Sequence, residues 1–203
     1  MQKSESTDCL ELEHHHLKGY SKCMVAGGYA VVFEGHQALV LRTKDYYESF
    51  HTKTEDLGNG KIRITSPQYT SKPCFVYHYK GEHHFEADGG NKRQNPFIEG
   101  VLKSVLLYFY SLDKENLENF FDQNSINIEV YSTGNYLGKQ HLTGKLVKNF
   151  PELEGEPHSC RKIGIGSSSS FVVSLTKALY FSFRKKLNIR IIHLLAQVAN
   201  SIA

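Results

Sequence analysis

The chain has 203 residues and a formal charge of +3, from 24 Lys+Arg against 21 Asp+Glu. That balance argues against a nucleic-acid-binding protein, for which a basic stripe on one face is expected. With 40% hydrophobic and 12% aromatic residues the chain has enough apolar material for one core and too much to remain disordered, and its length fits one domain, or one domain of something larger. The cysteines Cys9, Cys23, Cys74 and Cys160 are far apart and form no CxxC pair, which excludes a zinc ribbon or a redox dithiol. The first twenty residues contain no apolar stretch of a signal peptide, and no apolar run approaches the ~20 residues of a membrane span. The expectation is a soluble protein with free thiols in a reducing compartment, with no membrane and no nucleic-acid partner.

Residues 1–19 read as a flexible N-terminal extension, with the folded domain running over 20–203. The run His14-His15-His16 could bind a metal, but such a run on a floppy tail more often does nothing. Cys23–Ala26 ends at Gly27-Gly28, Tyr29–Phe33 follows, Glu34-Gly35-His36 forms a turn, and Gln37–Leu41 comes next. These Gly-bounded runs predict buried strands with tight turns. Lys61–Thr65 alternates, which puts Ile62 and Ile64 on one face of a half-buried strand. Cys74–Tyr79 is a further strand. His83-His84 falls on a strand or its turn, where neighbouring side chains point to opposite faces and make a poor chelate.

Asn95-Pro96-Phe97-Ile98-Glu99 opens a helix. Asn95 is the N-cap, Pro96 suits the first helical position, and Glu99 sits at the positive end of the dipole. Phe97, Ile98, Val101, Leu102, Val105, Leu106 and Phe109 recur at helical spacing as its core face. Ser125–Tyr131 alternates again, with Ile126, Ile128 and Val130 on one face, and residues 132–159 are rich in loop residues. Two helices end the chain, Ser167–Lys186 with a basic last turn (Arg184, Lys185, Lys186) and Asn188–Ile202. Strands, a helix, another strand and then paired helices make an α+β domain, not an alternating βαβ fold.

Chemistry concentrates in Arg161–Phe171. Gly164 and Gly166 permit a tight turn, and Ser167-Ser168-Ser169-Ser170 then starts a strongly apolar-periodic helix. The unpaired N–H groups of a helix N-terminus, with its dipole, suit an anion such as phosphate, and the hydroxyls add donors or a Mg2+ ligand. Lys162 adds charge. The alternative is a Gly/Ser linker before an ordinary capped helix. The pattern is neither a Walker A loop nor a Rossmann fingerprint.

Lys162–Ser170 (KIGIGSSSS) resembles the ATP loop of the GHMP kinases, whose pattern is close to Gly-Leu-Gly-Ser-Ser-Ala. Lys22–Tyr29 (KCMVAGGY), Asn95–Val101 (NPFIEGV) and His193–Ala199 (HLLAQVA) resemble, in the same order, segments of the eukaryotic phosphomevalonate kinase branch of that family. The resemblance covers about residues 20–203, roughly the N-terminal half of such an enzyme. It implies the GHMP N-terminal domain, like ribosomal protein S5 domain 2, and transfer of the ATP γ-phosphoryl group to 5-phosphomevalonate in the mevalonate route to isoprenoids and sterols, by a monomer in the cytoplasm or alternatively the peroxisome. It also implies that Lys162, Gly164, Ile165, Gly166 and Ser167–Ser170 bind ATP, that Ser168 helps to hold Mg2+, and that Lys22 is catalytic, neutralising charge at the transferring phosphoryl group. Gly27 and Gly28 would serve the turn that presents the Lys22 strand. Asn95 is then a cap rather than a substrate contact, and Gln197 a packing residue.

The chain departs from the pattern in four places. Lys18-Gly19-Tyr20-Ser21 stands where the family has Ser-Ala-Pro-Gly, and Ile165 replaces a Leu. Ser169 and Ser170 replace small apolar residues, at little expected cost on an exposed helix start. The family's next motif, which carries the catalytic aspartate, would begin at Ala203, and no Asp or Glu follows Glu156. The expectation is therefore an N-terminal domain without its C-terminal partner, with an inactive nucleotide-binding fragment as the alternative. Mevalonate or homoserine are the other acceptors within the class, and the Asn-Pro-Phe-Ile-Glu segment argues against them.

Overall fold

The structure, a computed structural model, describes residues 17–27, 32–52, 57–88, 95–134, 141–156 and 166–203. The strands are β1 (Leu17–Ala26), β2 (Leu39–His51), β3 (Lys61–Thr65), β4 (Cys74–Gly81) and β5 (His84–Ala87). Helices α1 (Pro96–Leu112) and α2 (Lys114–Gln123) lead to β6 (Ile126–Ser132), the hairpin β7 (Leu142–Val147) and β8 (Phe150–Leu153), and helices α3 (Ser167–Phe183) and α4 (Ile189–Ile202). Six strands form one sheet in the order β1-β2-β6-β3-β4-β5. Only the β3–β6 pair in it is parallel. The architecture is mixed α+β.

The alternating strands bury the side chains their pattern assigns. Ile62, Ile64, Ile126, Ile128 and Val130 are each at most 3% exposed, and they share one core with Val101, Leu102, Val105 and Leu106 of α1 and with Val172 and Leu175 of α3. Asn95 caps α1 as its position predicts, its Oδ1 accepting from Phe97 N at 3.1 Å and Ile98 N at 3.4 Å. Asp113 ends α1 and begins α2, where its side chain accepts from Asn116 N. On the other face of the sheet β8 lies over Tyr131, whose ring stacks on Phe150 at 5.1 Å.

Several expectations need correction. β1 begins at Leu17, not at residue 20, because Leu17 is 2% exposed and its carbonyl accepts from Ser174 Oγ on α3 at 2.7 Å. Residues 17–19 thus belong to the domain. His14–His16 lie outside the described residues. Cys23–Ala26 is a strand but not a buried one, since Met24 is 49% and Val25 54% exposed. Val32 and Phe33 lie in an exposed turn rather than a strand, and β2 starts at Leu39 and runs to His51. α3 stops at Phe183, so the basic triplet follows the helix instead of ending it; Arg184 is already extended at φ −134°, ψ 115°.

The two hairpins show why their turns were hard to place. Glu82 and His83 between β4 and β5, and Lys148 and Asn149 between β7 and β8, all have positive φ. Those are the angles of two-residue type I′ turns, here without the usual glycine. His83 therefore sits in a turn, and its ring stacks on His84 at 4.8 Å rather than facing away. Among the described residues no group of three or more His, Cys, Asp or Glu could hold a metal ion, and no helix is long and apolar enough to cross a membrane. Cys23 and Cys74 are free.

Candidate site at the start of α3

The N-cap of α3 is Gly166, in the left-handed region at φ 71°, ψ 34°. A side chain there is strained, which explains the glycine. Among the described residues no side chain caps the first turn. Ser170 N bonds Gly166 O at 3.2 Å and closes the first helical turn. The N–H groups of Ser167, Ser168 and Ser169 come before that bond and carry the positive end of the dipole.

Lys22 lies against this turn. A Cβ built on Gly166 would be 3.5 Å from Lys22 Cγ and 3.5 Å from Lys22 O. The resemblance implied one site for Lys22 and the Gly/Ser segment, and of that segment Gly166 is Lys22's neighbour. Gly27, at the end of β1, has φ +81°, and a Cβ on it would fall 2.3 Å from Gln37 O. Only glycine lets the chain turn back there.

Ser167 and Ser168 open onto a cavity of about 180 Å3, which Asn95, Pro96 and Phe97 also line. The positive ends of α1 and α3 thus meet at one hollow. At α1 the Asn95 side chain already occupies two of the donors, so among the described residues α3 is the more open of the two. The walls are mostly apolar and aromatic, with Tyr47 and Phe171 in edge contact at 5.7 Å. Ser66 also lines the cavity, and its hydroxyl proton is spent on Val130 O at 2.7 Å. Tyr77, buried in the adjoining core, supplies no base. Burial pushes its phenol far above the ordinary value, and the Glu99 carboxylate pushes it further.

The other expected residues divide. Ser169 is half-buried on the first turn. Ser170 is not at an exposed helix start but 1% exposed, with its hydroxyl donating to Gly166 O at 3.1 Å and touching Ser21 Oγ at 2.9 Å. Its N–H and O–H are both committed inside the protein, so it does not offer a ligand contact. Lys162, Gly164, Ile165 and Gly28 lie outside the described residues. Gln197 is exposed on α4 rather than packed. Sequence reasoning missed Ser21, Tyr47 and Ser66. Phe171 was expected only as core. Nothing local in the sequence marks Ser21, whose partner stands on a distant helix.

No protein-family model matches the chain, and no curated protein is a significant match. The chain is similar in structure to a Lin0012 protein from Listeria innocua, solved by crystallography, with a TM-score of 0.51 and 17% identity over 92% of this chain and 42% of that one. The likeness is one of fold. This chain thus spans about two-fifths of the length of that protein.

Proposed function

We propose that the start of α3 binds the phosphate chain of ATP, and that residues 17–203 are the ATP-binding N-terminal domain of a GHMP kinase, of the ribosomal protein S5 domain 2 type. The reaction proposed is that of phosphomevalonate kinase, working in the cytoplasm as a monomer. The γ-phosphorus breaks its bond to the β,γ-bridging oxygen and bonds a phosphate oxygen of 5-phosphomevalonate, giving 5-diphosphomevalonate and ADP. The observation that carries this reading is the approach of Lys22 to Gly166 at the first turn of a 17-residue helix that, among the described residues, no side chain caps.

The parts have separable tasks. The amides of Ser167–Ser169 would hold phosphate oxygens without reorganising. The apolar, aromatic-walled cavity beside them would take a planar base, with the phosphate chain running from it toward Lys22, which does not line the cavity. The Lys22 ammonium would offset charge on the transferring group, the kind of positioning and neutralisation on which phosphoryl transfer depends. Mg2+ would be carried on the phosphates with the Ser168 hydroxyl as one ligand, and when bound it would neutralise phosphate charge.

No carboxylate lines the cavity among the described residues. That favours a second reading, in which this chain binds nucleotide without completing transfer. Calorimetry with Mg-ATP tests the binding; an absence of heat would reject the nucleotide assignment. ADP release with 5-phosphomevalonate as acceptor separates the two readings. Turnover supports the kinase, and binding without turnover supports the second.

A further inference from the structure

The seam between α3 and the β1–β2 pair is made of hydroxyl groups. Ser21, Ser49 and Ser174 are 0% exposed and Ser170 is 1% exposed. Ser170 spends its one proton on Gly166 O, so in the 2.9 Å contact with Ser21 it accepts and Ser21 donates. By the same count Ser174 donates to Leu17 O at 2.7 Å and accepts from Ser49 at 2.7 Å. Lys177 Nζ donates to Lys18 O at 2.6 Å. Between these bonds lies Gly19, where a Cβ would come 2.0 Å from Ser170 O. The helix rests directly on strand backbone.

We infer that Ser21, together with Ser170, is a positioning residue that fixes Lys22 against the first turn of α3; its effect on ligand rests on the nucleotide reading above. Apolar contact is non-directional and tolerates sliding of a helix along a sheet. Buried hydroxyls do not, because a slip leaves them dry and unpaired. Ser21 directly precedes Lys22, and Ser170 binds the carbonyl of Gly166. Two hydrogen bonds therefore join the backbone that carries Lys22 to the residue that begins the anion-facing turn. The remaining bonds, from Ser174, Ser49 and Lys177, hold the same register further along. Apolar residues of similar size could hold the two elements together, but they would not select this alignment.

The test separates alignment from stability. Ser21→Ala/Ser170→Ala removes both partners, which leaves no unpaired hydroxyl and should keep the melting temperature close to that of the unaltered chain. The affinity for Mg-ATP should nevertheless fall about tenfold, and in a Lys22→Met background the same pair should change it by no more than about twofold, because the seam acts through Lys22. Equal losses in both backgrounds, or unchanged affinity, would overturn the inference. If the unaltered chain binds no Mg-ATP, the nucleotide reading fails, and amide hydrogen exchange decides this inference by itself. Faster exchange at residues 22–23 and 170–172 in the double variant upholds it, and unchanged exchange overturns it. Should the double variant not fold, Ser21→Ala alone serves for both measurements, since Ser170 keeps its bond to Gly166.

Discussion

Gly166 begins α3 and Gly19 packs against Ser170 and Ser174 of the same helix, and they should respond differently to a methyl group. In Gly166→Ala the new Cβ meets Lys22 at ordinary contact distance, so the cost is the left-handed backbone, about 1–2 kcal/mol by urea denaturation. In Gly19→Ala the Cβ would strike the Ser170 carbonyl, and α3 must shift. The expected loss is larger, about 3 kcal/mol or more. His51 gives a pH signature. Its Nε2 donates to Ala178 O at 2.9 Å. Burial holds its pKa below the ordinary 6.5, against the bond to Ala178, and the Lys185 charge adds to the lowering. The unfolded chain takes up this proton more readily than the folded one. Stability from this group is therefore complete above pH 6.5 and is lost as the pH falls below that value. Urea midpoints should fall between about pH 7 and pH 5.5, and less steeply in His51→Gln.

At the scale of elements, Gln68 ties β6 to β8. It is 0% exposed, accepts from Ser132 N, and donates to Ser132 O and Pro151 O. Gln68→Ala should cost about 2–3 kcal/mol and loosen the β7–β8 hairpin, read as faster amide exchange in residues 142–153. The elements legible in the sequence were those with one clean period, namely β3, β4, β6, α1 and α4, although α4 leaves the apolar Leu194, Val198 and Ile202 48–59% exposed. α2 was missed because it buries only Leu117 and Phe121, too few for a stripe. The β1–β2 arm was read as buried because an apolar run looks the same whether or not another layer covers it. In the structure Leu39, Val40 and Leu41 are 43–53% exposed. The glycine and the open helix start of the candidate site were legible in the same way. The division of its serines was not, because which hydroxyl faces the cavity and which the seam depends on how α3 lies on β1.

For the whole molecule, a near-neutral chain that binds a polyanion must do so with local charge rather than a global field. The two helix ends at the cavity, and Lys22 beside the first turn of α3, supply that charge. Ligand and folding are then linked, and Mg-ATP at about 100 times its Kd should add about 2.7 kcal/mol to the unfolding free energy of the entire domain. The most direct measurement is calorimetric titration of Mg-ATP into the unaltered chain and into Lys22→Met. One site in the unaltered chain, with affinity at least about tenfold weaker in Lys22→Met, is the predicted result. No heat in the unaltered chain, or equal affinity in the two, would contradict it.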